Sequence, residues 1–564
     1  MQLVTPPPVE FDQQDMFVRF SRFDMASYEV FLQIKAIPEY HVQFDRQTEA
    51  YTIRAPKRFA GMLGVVPPTP QAPDLGLAAF LFDDQSAIVQ LALDAKRFAV
   101  WSDCGLGKTL IEFEFARHVI HRTGGRVLIV TMNDLVDQFI EMAAEFYGES
   151  LPLTKLTSQK HMREWCQGTG PGLAIVNYEK FNPEDGSNDK QVISEVRHLA
   201  GLILDESSRL KTGGGKQKWA IIKSGKGIEY KLSCTATPAP NDTMEFASQA
   251  SFLERMRSEG EIIWTYFHRD NKTHRWTVKK HAREGFFKFM ASWSIYVRDP
   301  RKYGWRKDHA PVPEPITTIT EIEATPEQLA AMRALQRDAT GQMRMFEKDN
   351  TNAIERVKLS EVAKGFRYHE KLPTEPGIPA DAVTLKRKGV EYRRWTEYIP
   401  SRKPAVVAAM AAKELAEGRQ VLIWTEFDAE TRLIAHELKL LGIEPDVLTG
   451  STPKKLRPGI LDRFRNGGSQ LLIGRSKMIG YGQNFQRCKS MIFSGWSDSF
   501  EAFYQSVRRA VRHGQTDQVR VLIPVIRELE GDQLDNVFLK QEKHSAAVDE
   551  MERNYIGAMK GLCL

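Results

Sequence analysis

Short, nearly continuous apolar runs alternate with amphipathic stretches through two long regions of this chain. Arg97-Phe98-Ala99-Val100-Trp101, Arg126-Val127-Leu128-Ile129-Val130, Leu173-Ala174-Ile175-Val176 and Leu202-Ile203-Leu204 belong to the first region. Val421-Leu422-Ile423-Trp424, Gln470-Leu471-Leu472-Ile473, Ser490-Met491-Ile492-Phe493 and Val519-Arg520-Val521-Leu522-Ile523 belong to the second. A strand covered on both faces has no polar side to show, so its sequence is apolar throughout, and amphipathic helices between such strands cover a parallel sheet. The pattern predicts an α/β protein with lobes at 76–250 and 401–545.

The rest of the chain follows other patterns. Residues 1–65 predict a small α+β accessory module: a helix from Ser27 to Lys35, a turn at Ile37-Pro38-Glu39 and a hairpin around Asp45-Arg46-Gln47-Thr48. The Pro-rich Val65-Val66-Pro67-Pro68-Thr69-Pro70 reads as a linker. Residues 251–315 are aromatic, basic and irregular (Trp264, Tyr266, Phe267, His268, Trp276, Phe286, Phe287, Trp293) and predict a helical insertion. Its aromatics suit either a small core of its own or a stacking platform for single strands. A helical and loop connection is expected over 316–400, with helix at 325–365 and a polar loop rich in Lys and Arg from about 370 to 400.

Composition narrows the class. A chain of 564 residues exceeds one core, and two to four domains are expected. No apolar run is long enough to cross a bilayer, and neither a leader nor a membrane partner is expected. The five cysteines (104, 166, 234, 488 and 563) form no C-x-x-C pair, so neither zinc nor a disulfide framework is indicated. His268, His274 and His281 are irregularly spaced and do not suggest a metal site. The net charge of +6 permits a polyanionic partner, with basic clusters at Lys279-Lys280-His281, Arg301-Lys302 with Arg306-Lys307, Lys386-Arg387-Lys388, and Arg508-Arg509 with Arg512.

Candidate chemistry sits at strand ends. Asp103-Cys104-Gly105-Leu106-Gly107-Lys108-Thr109 follows an apolar strand and opens the amphipathic Leu110–Ala116. Strand, glycine turn, Lys-Thr and helix together cradle a nucleoside triphosphate: backbone N–H groups face the phosphates, Lys108 reaches the β/γ oxygens, and Thr109 holds Mg²⁺. Ser102 stands where the general pattern G-x-x-x-x-G-K-S/T has its first glycine. Leu202-Ile203-Leu204 ends in Asp205-Glu206, one carboxylate suited to Mg²⁺ and the other to deprotonating the attacking water. The plainer alternative is a helix-capping pair. Leu232-Ser233-Cys234-Thr235-Ala236-Thr237-Pro238 places hydroxyls at another strand end, able to bridge the acidic pair to a moving element. Arg509 and Arg512, at i and i+3, are expected on one helix face, suited to a phosphoryl group in its transition state.

These motifs, in this order over about 76–530, resemble those of the Swi/Snf branch of superfamily-two helicase-like motors. That branch has D-E-M-G-L-G-K-T as its phosphate loop, with no leading glycine. Its D-E-x-H is similar to Asp205-Glu206-Ser207-Ser208, and its T-G-T-P-x-x-N to Thr235-Ala236-Thr237-Pro238-Ala239-Pro240-Asn241. Its T-K-A-G-G-L-G-L-N-L-Q is similar to Ser476–Gln486, with Met478-Ile479 replacing Ala-Gly. Its Q-x-x-x-R-x-x-R-x-G-Q is matched by Gln505–Gln515.

The resemblance implies two RecA-like lobes that bind and hydrolyse ATP with Mg²⁺. Catalytic roles fall to Lys108, Asp205, Glu206, Arg509 and Arg512. ATP contacts fall to Gln85 (toward adenine), Gly105, Leu106, Gly107, Lys108, Thr109, Gly482 and Gln505, and metal contacts to Thr109 and Asp205. Asn177, Tyr178, Ser476 and Lys477 are implied to touch the nucleic acid, expected to be duplex DNA bound without sequence preference. Residues 1–65 are also similar to the HARP module of annealing helicases. The leading expectation is a double-stranded DNA translocase in a prokaryotic or phage-infected cytoplasm. Other readings are a strand-separating DNA or RNA helicase, a non-catalytic nucleic-acid scaffold, and a motor serving a nuclease, methyltransferase or polymerase partner.

Overall fold

The structure, a computed structural model, describes residues 9–561 apart from 13–14, 21–24, 36, 38, 47, 49, 57–58, 61–62, 64, 66–74, 183–191, 212–214, 240–242, 257, 270–275, 306–311, 343–347, 388, 454, 480–483, 498 and 513–514. The linker expected at 65–70 lies almost wholly outside these residues. The chain divides into two compact units, residues 1–308 with 543–564, and residues 309–542.

The first unit begins with the small α+β module. Its strands β1 (Val9–Phe11), β2 (Asp15–Phe20), β3 (His41–Asp45) and β4 (Ala50–Pro56) form an antiparallel sheet in the order β1-β2-β4-β3. The helix Met25–Lys35 supplies Ile34 to a core with Met16, Val18, Phe20 and Ile53. The β3–β4 turn is stapled by the Thr48 hydroxyl donating to Asp45 Oδ2 at 2.8 Å.

The lobe that follows is a seven-stranded parallel sheet. Its strands are β5 (Arg97–Ser102), β6 (Arg126–Thr131), β7 (Leu153–Lys155), β8 (Gly172–Asn177), β9 (Gly201–Leu204) and β10 (Tyr230–Thr235), with a seventh arriving later. That last strand emerges from the segment read as a helical insertion. After the helix Glu259–Tyr266 come the hairpin strands β11 (Phe267–Arg269) and β12 (Trp276–Val278), the helix Arg283–Ala291, and β13 (Ser294–Val297). β13 pairs in parallel with β5, giving the order β13-β5-β10-β9-β6-β8-β7, so the lobe continues well past residue 250. Phe267, Phe286, Phe287 and Trp293 are buried, as a small core requires, and of the aromatics named above Trp264 alone is as much as 75% exposed.

Glu114 anchors the helix Lys108–Thr123 in this unit. Fully buried, it accepts hydrogen bonds from the Ala78 N–H (2.9 Å), Arg117 Nε (3.0 Å) and the Tyr147 hydroxyl (2.8 Å), and contacts His118 Nε2 (3.2 Å). Burial alone would raise its pKa; the bonds from His118, Arg117, Tyr147 and the Ala78 N–H outweigh it and bring the carboxyl down to about 2.

The second unit holds a six-stranded parallel sheet. Strand β14 (Ile316–Glu321) is followed in sequence by β15 (Phe366–Lys371), β16 (Val383–Arg387) and β17 (Val390–Tyr398), which form a sheet of their own. The remaining strands are β18 (Gln420–Thr425), β19 (Asp446–Leu448), β20 (Leu471–Arg475), β21 (Cys488–Phe493) and β22 (Arg520–Val525). The main order is β14-β22-β21-β18-β20-β19. Helices Pro326–Gln342 and Lys348–Ala363 occupy the predicted helical stretch. The stretch expected as a polar loop is instead the antiparallel sheet β15-β17-β16. Its strands carry alternating charged and aromatic residues whose cross-strand ion pairs, such as Arg387 with Glu370 at 3.1 Å, give a polar sequence a sheet to stand in. Buried Glu530 holds this unit's elements together, accepting from Lys364 (2.9 Å) and Lys403 (2.5 Å). The helix Arg527–Gly561 belongs to the first unit from residue 543, where Glu552 accepts from Lys302 at 2.7 Å and the Arg298 N–H at 3.2 Å.

Glu114→Ala strips four partners of a buried carboxylate and is expected to lower stability by about 3–5 kcal/mol in chemical denaturation. Because the folded-state pKa is depressed, the wild-type contribution is present above the unfolded carboxyl value of 4.5 and lost as pH falls toward about 2. The variant should therefore show a shallower loss of stability across that acid window.

Candidate active site

In the first unit the chemistry gathers where parallel strands end. β5 runs into the loop Asp103–Gly107; β10 ends at Thr235, β6 at Thr131 and β8 at Asn177, and β9 is followed by Asp205 and Glu206. The sheet order brings β5, β10, β9, β6 and β8 side by side, so residues far apart in sequence share one edge.

The loop is shaped by two glycines with positive φ, Gly105 (+88°) and Gly107 (+72°), a conformation that side-chain-bearing residues rarely adopt. Gly107 is constrained twice, because a Cβ there would stand 2.2 Å from Gln85 Nε2. Gln85 accepts from the Phe82 N–H (3.1 Å) and donates to the Leu106 carbonyl (3.2 Å), so it braces the loop from behind. Lys108 opens the helix Lys108–Thr123, with half-buried Thr109 next to it. Its ammonium donates to the Ser102 (2.8 Å) and Asp103 (3.1 Å) carbonyls. Burial works against that charge, but Cys104, Glu206, Asp103 and Asp205 outweigh it and raise the pKa.

Asp205 is 5% exposed and is held from two sides. Its Oδ2 accepts from the Thr131 hydroxyl at 2.6 Å, and its carbonyl accepts from the Tyr178 hydroxyl at 2.7 Å. Burial raises its pKa against the opposing effects of Thr131 and Lys108. Glu206 has φ +47°, an uncommon value for a residue with a side chain and a mark of backbone strain at a working site. Its Oε2 accepts from the Thr235 hydroxyl at 3.3 Å, so the hydroxyl-bearing strand end does meet the acidic pair. Glu112, on the helix after the loop, is fully buried beside the Cys234 thiol and the Asp205 carboxyl. Burial, reinforced by Asp205, lifts its pKa well above the carboxylate range.

A loop turned by left-handed glycines, an ammonium resting on two backbone carbonyls, and crowded carboxylates that gain from a cation form a donor set that fits a magnesium–nucleoside triphosphate.

Two residues carry roles their sequence context did not announce. Tyr178, expected on the nucleic-acid side, is fully buried and spends its hydroxyl on Asp205, so it positions the acidic motif and is not presented to a strand. Gln249, on the helix Phe246–Phe252, accepts from Trp101 Nε1 (2.8 Å) and the Ser233 hydroxyl (3.0 Å) and donates to the Pro238 carbonyl (3.0 Å). It ties the loop-bearing strand to the hydroxyl motif. A polar residue among Phe246-Ala247-Ser248 and Ala250-Ser251-Phe252 is the one trace it leaves in the sequence. Asn177 stays at the edge, donating to Asn133 Oδ1 at 2.6 Å.

In the second unit Arg509 and Arg512 do not share the helix face that their spacing predicts. The helix Phe500–Val507 ends before both, and they sit in the turns that follow. Arg509 is 6% exposed, with its guanidinium over the Trp424 ring at 5.8 Å, while Arg512 is half-buried. Arg509, Gln505, Arg475, Trp424 and Trp496 line a cavity of about 100 Å³, into whose wall Gln505 Oε1 is buried with no hydrogen-bond partner among the described residues. Gln515 braces this turn through the Gln486 carbonyl at 2.8 Å. Ser476 and Lys477 begin the short helix Ser476–Ile479; their side chains, and Gly482 entirely, lie outside the described residues.

Among the described residues no helix is long and apolar enough to cross a membrane. Residues 81–240 match the family described as type III restriction enzyme, res subunit, and residues 403–514 match the helicase conserved C-terminal domain. The chain is 22% identical over 496 residues to putative protein p41 of Acyrthosiphon pisum secondary endosymbiont phage 1, covering 83% of this chain and 96% of that protein. It is similar to the Sulfolobus solfataricus SWI2/SNF2 ATPase core in complex with dsDNA, at 17% identity and TM-score 0.37, over 84% of this chain and 97% of that one.

Tyr178→Phe should cost about 1 kcal/mol of stability by loss of one buried hydrogen bond, and leave nucleic-acid affinity unchanged in a binding titration. Gln249→Leu strands four buried polar groups, on Trp101, Ser207, Ser233 and Pro238, and is expected to cost on the order of 3 kcal/mol in thermal unfolding.

Proposed function

We propose that this chain is a superfamily-two helicase-related ATPase of the Swi/Snf type, an ATP-driven motor that moves along double-stranded DNA without needing to separate the strands. The observation that carries this reading is the convergence of Lys108, Asp205 and Glu206 on one edge of a parallel sheet, each held by its own partners. The loop amides and Lys108 bind the phosphates. Thr109 and Asp205 would hold Mg²⁺, which when bound supplies positive charge to the phosphate oxygens. Thr131 and Tyr178 keep Asp205 aimed at that position, and Glu206, steadied by Thr235, takes the proton of the attacking water. Arg509, Arg512 and Gln505 take the roles the motif resemblance gives them, the two arginines stabilising charge on the transferred phosphoryl group. Asn177, Ser476 and Lys477 contact the nucleic-acid backbone, which positions the strand without reading its sequence.

DNA replication, repair, recombination and restriction-related processing are the settings that use such a motor. The match of 81–240 to the restriction-enzyme res family favours a second reading, a motor subunit serving a nuclease or methyltransferase partner.

The test is steady-state ATP hydrolysis without nucleic acid and with duplex DNA, single-stranded DNA or RNA. Duplex DNA should stimulate turnover most. Lys108→Ala and Glu206→Gln should each lower kcat by at least about 10²-fold while nucleic-acid binding survives. Stimulation by single strands or RNA alone would replace the translocase reading with a strand-separating helicase. Undiminished turnover in either variant would overturn the site.

A further inference from the structure

The antiparallel sheet β15-β17-β16 has two unlike faces. Side chains alternate along each strand, and directly paired residues share a face. Phe366 and Tyr368 of one face engage the second lobe: Phe366 packs on Phe427 with ring centres 5.4 Å apart, and the Tyr368 hydroxyl accepts from the Ala429 N–H at 3.2 Å. The register places Arg367 opposite Glu397, His369 opposite Trp395, Lys371 and Thr384 opposite Arg393, and Lys386 opposite Glu391 on the other face.

That second face is cationic in a particular way. Lys386 is paired with Glu391 (2.9 Å) and His369 with Glu397 (2.7 Å). Arg393 donates to the Thr384 hydroxyl (2.6 Å) and Lys371 to the Pro376 carbonyl (2.8 Å), acceptors that orient a cation without neutralising it. Among the described residues no carboxylate pairs with Arg367, Lys371 or Arg393. Between them lies a half-buried aromatic pair, Trp395 stacked on His369 with ring centres 5.2 Å apart and planes 14° from parallel. Lysines and arginines that only solvated a surface would need no such platform in their midst. Adjacent cations with uncompensated charge, flanking a stacked aromatic pair, match a chain of phosphates whose bases are free to stack.

We propose that this face is a second nucleic-acid surface, one that takes a single-stranded segment with its phosphates on Arg367, Lys371 and Arg393 and a base against the Trp395–His369 pair. The inference rests on the motor reading only for the class of partner, and it is tested by binding, independently of ATP turnover. A duplex offers phosphates but no free base face, so Trp395 separates single strands from duplex.

The experiment is a fluorescence-anisotropy titration of the full chain with single-stranded and duplex DNA over a range of salt. Arg367→Ala/Lys371→Ala/Arg393→Ala should weaken single-strand binding at least tenfold. It should also flatten the dependence of log K on log salt by about 2, as expected when three phosphate contacts at roughly 0.7 each are lost. Trp395→Ala should weaken single-strand binding about tenfold and leave the salt slope and duplex binding unchanged. Arg367→Lys/Arg393→Lys, which keeps the charge and the sheet, should restore the salt slope. Duplex-stimulated kcat at saturating DNA should survive in every variant, so a failure of the motor reading would show there and not in the titration. Unchanged single-strand affinity and slope in the triple variant, or losses confined to duplex, would overturn the assignment.

Discussion

Asp205 and Glu112 are withdrawn from water together at the edge of the first lobe's sheet, within reach of Lys108, and burial raises the pKa of both carboxyls. Charges kept this close and this dry are expensive unless something answers them. Here the answer is divided. Lys108 is itself held by backbone carbonyls, Thr131 holds the Asp205 carboxylate, and Tyr178 fixes the Asp205 backbone. The parallel sheet exists in this form because these groups have to arrive from five strands at once. No shorter path through the sequence would put Thr131, Asn177, Asp205 and Thr235 on the edge that also carries the loop. The strain at Glu206 belongs to the same constraint: a favourable backbone there would aim the side chain elsewhere.

The second unit manages buried charge differently. Glu530 is closed off completely between Lys364 and Lys403, and ties the helical connection, the lobe and the last helix to one carboxylate. Its partners are stems long enough to bury their methylenes against Trp496 while the ammonium groups converge, Lys403 lying 5.1 Å and Lys364 5.8 Å from that ring. The first unit crowds two carboxyls against each other, whereas here each oxygen of one carboxylate has its own ammonium. That contrast separates a site from a joint.

What was legible in the sequence was what local spacing encodes. The apolar strands, the glycine loop with Lys108-Thr109, and the Asp205-Glu206 pair are contiguous signals, and each stands at the strand end it implied. Tyr178 and Gln249 are not legible in these roles, because Tyr178 acts on Asp205, 27 positions away, and Gln249 on Trp101, 148 positions away, through contacts that only the strand order creates. The stretch from about 370 to 400 predicts a loop because its alternation is charge against aromatic, with little of the apolar signal that marks a half-buried strand. The i, i+3 argument for Arg509 and Arg512 assumed a helix that ends at Val507. The edge strand Ser294–Val297 was hidden behind forty residues of insertion, and nothing local says which sheet a returning strand will join.

The contact between Gln85 and position 107 carries an evolutionary consequence. A Cβ at 107 is blocked by Gln85 and disfavoured by a φ of +72°, so two independent barriers guard one glycine. Shortening residue 85 removes the first barrier but leaves the second, and gives up the brace on Leu106 as well. A lineage drifting at 85 would therefore find its loop loosened long before any new side chain became tolerable at 107. The two positions should change in that order or not at all, and descendants that have lost the glutamine should still keep the glycine.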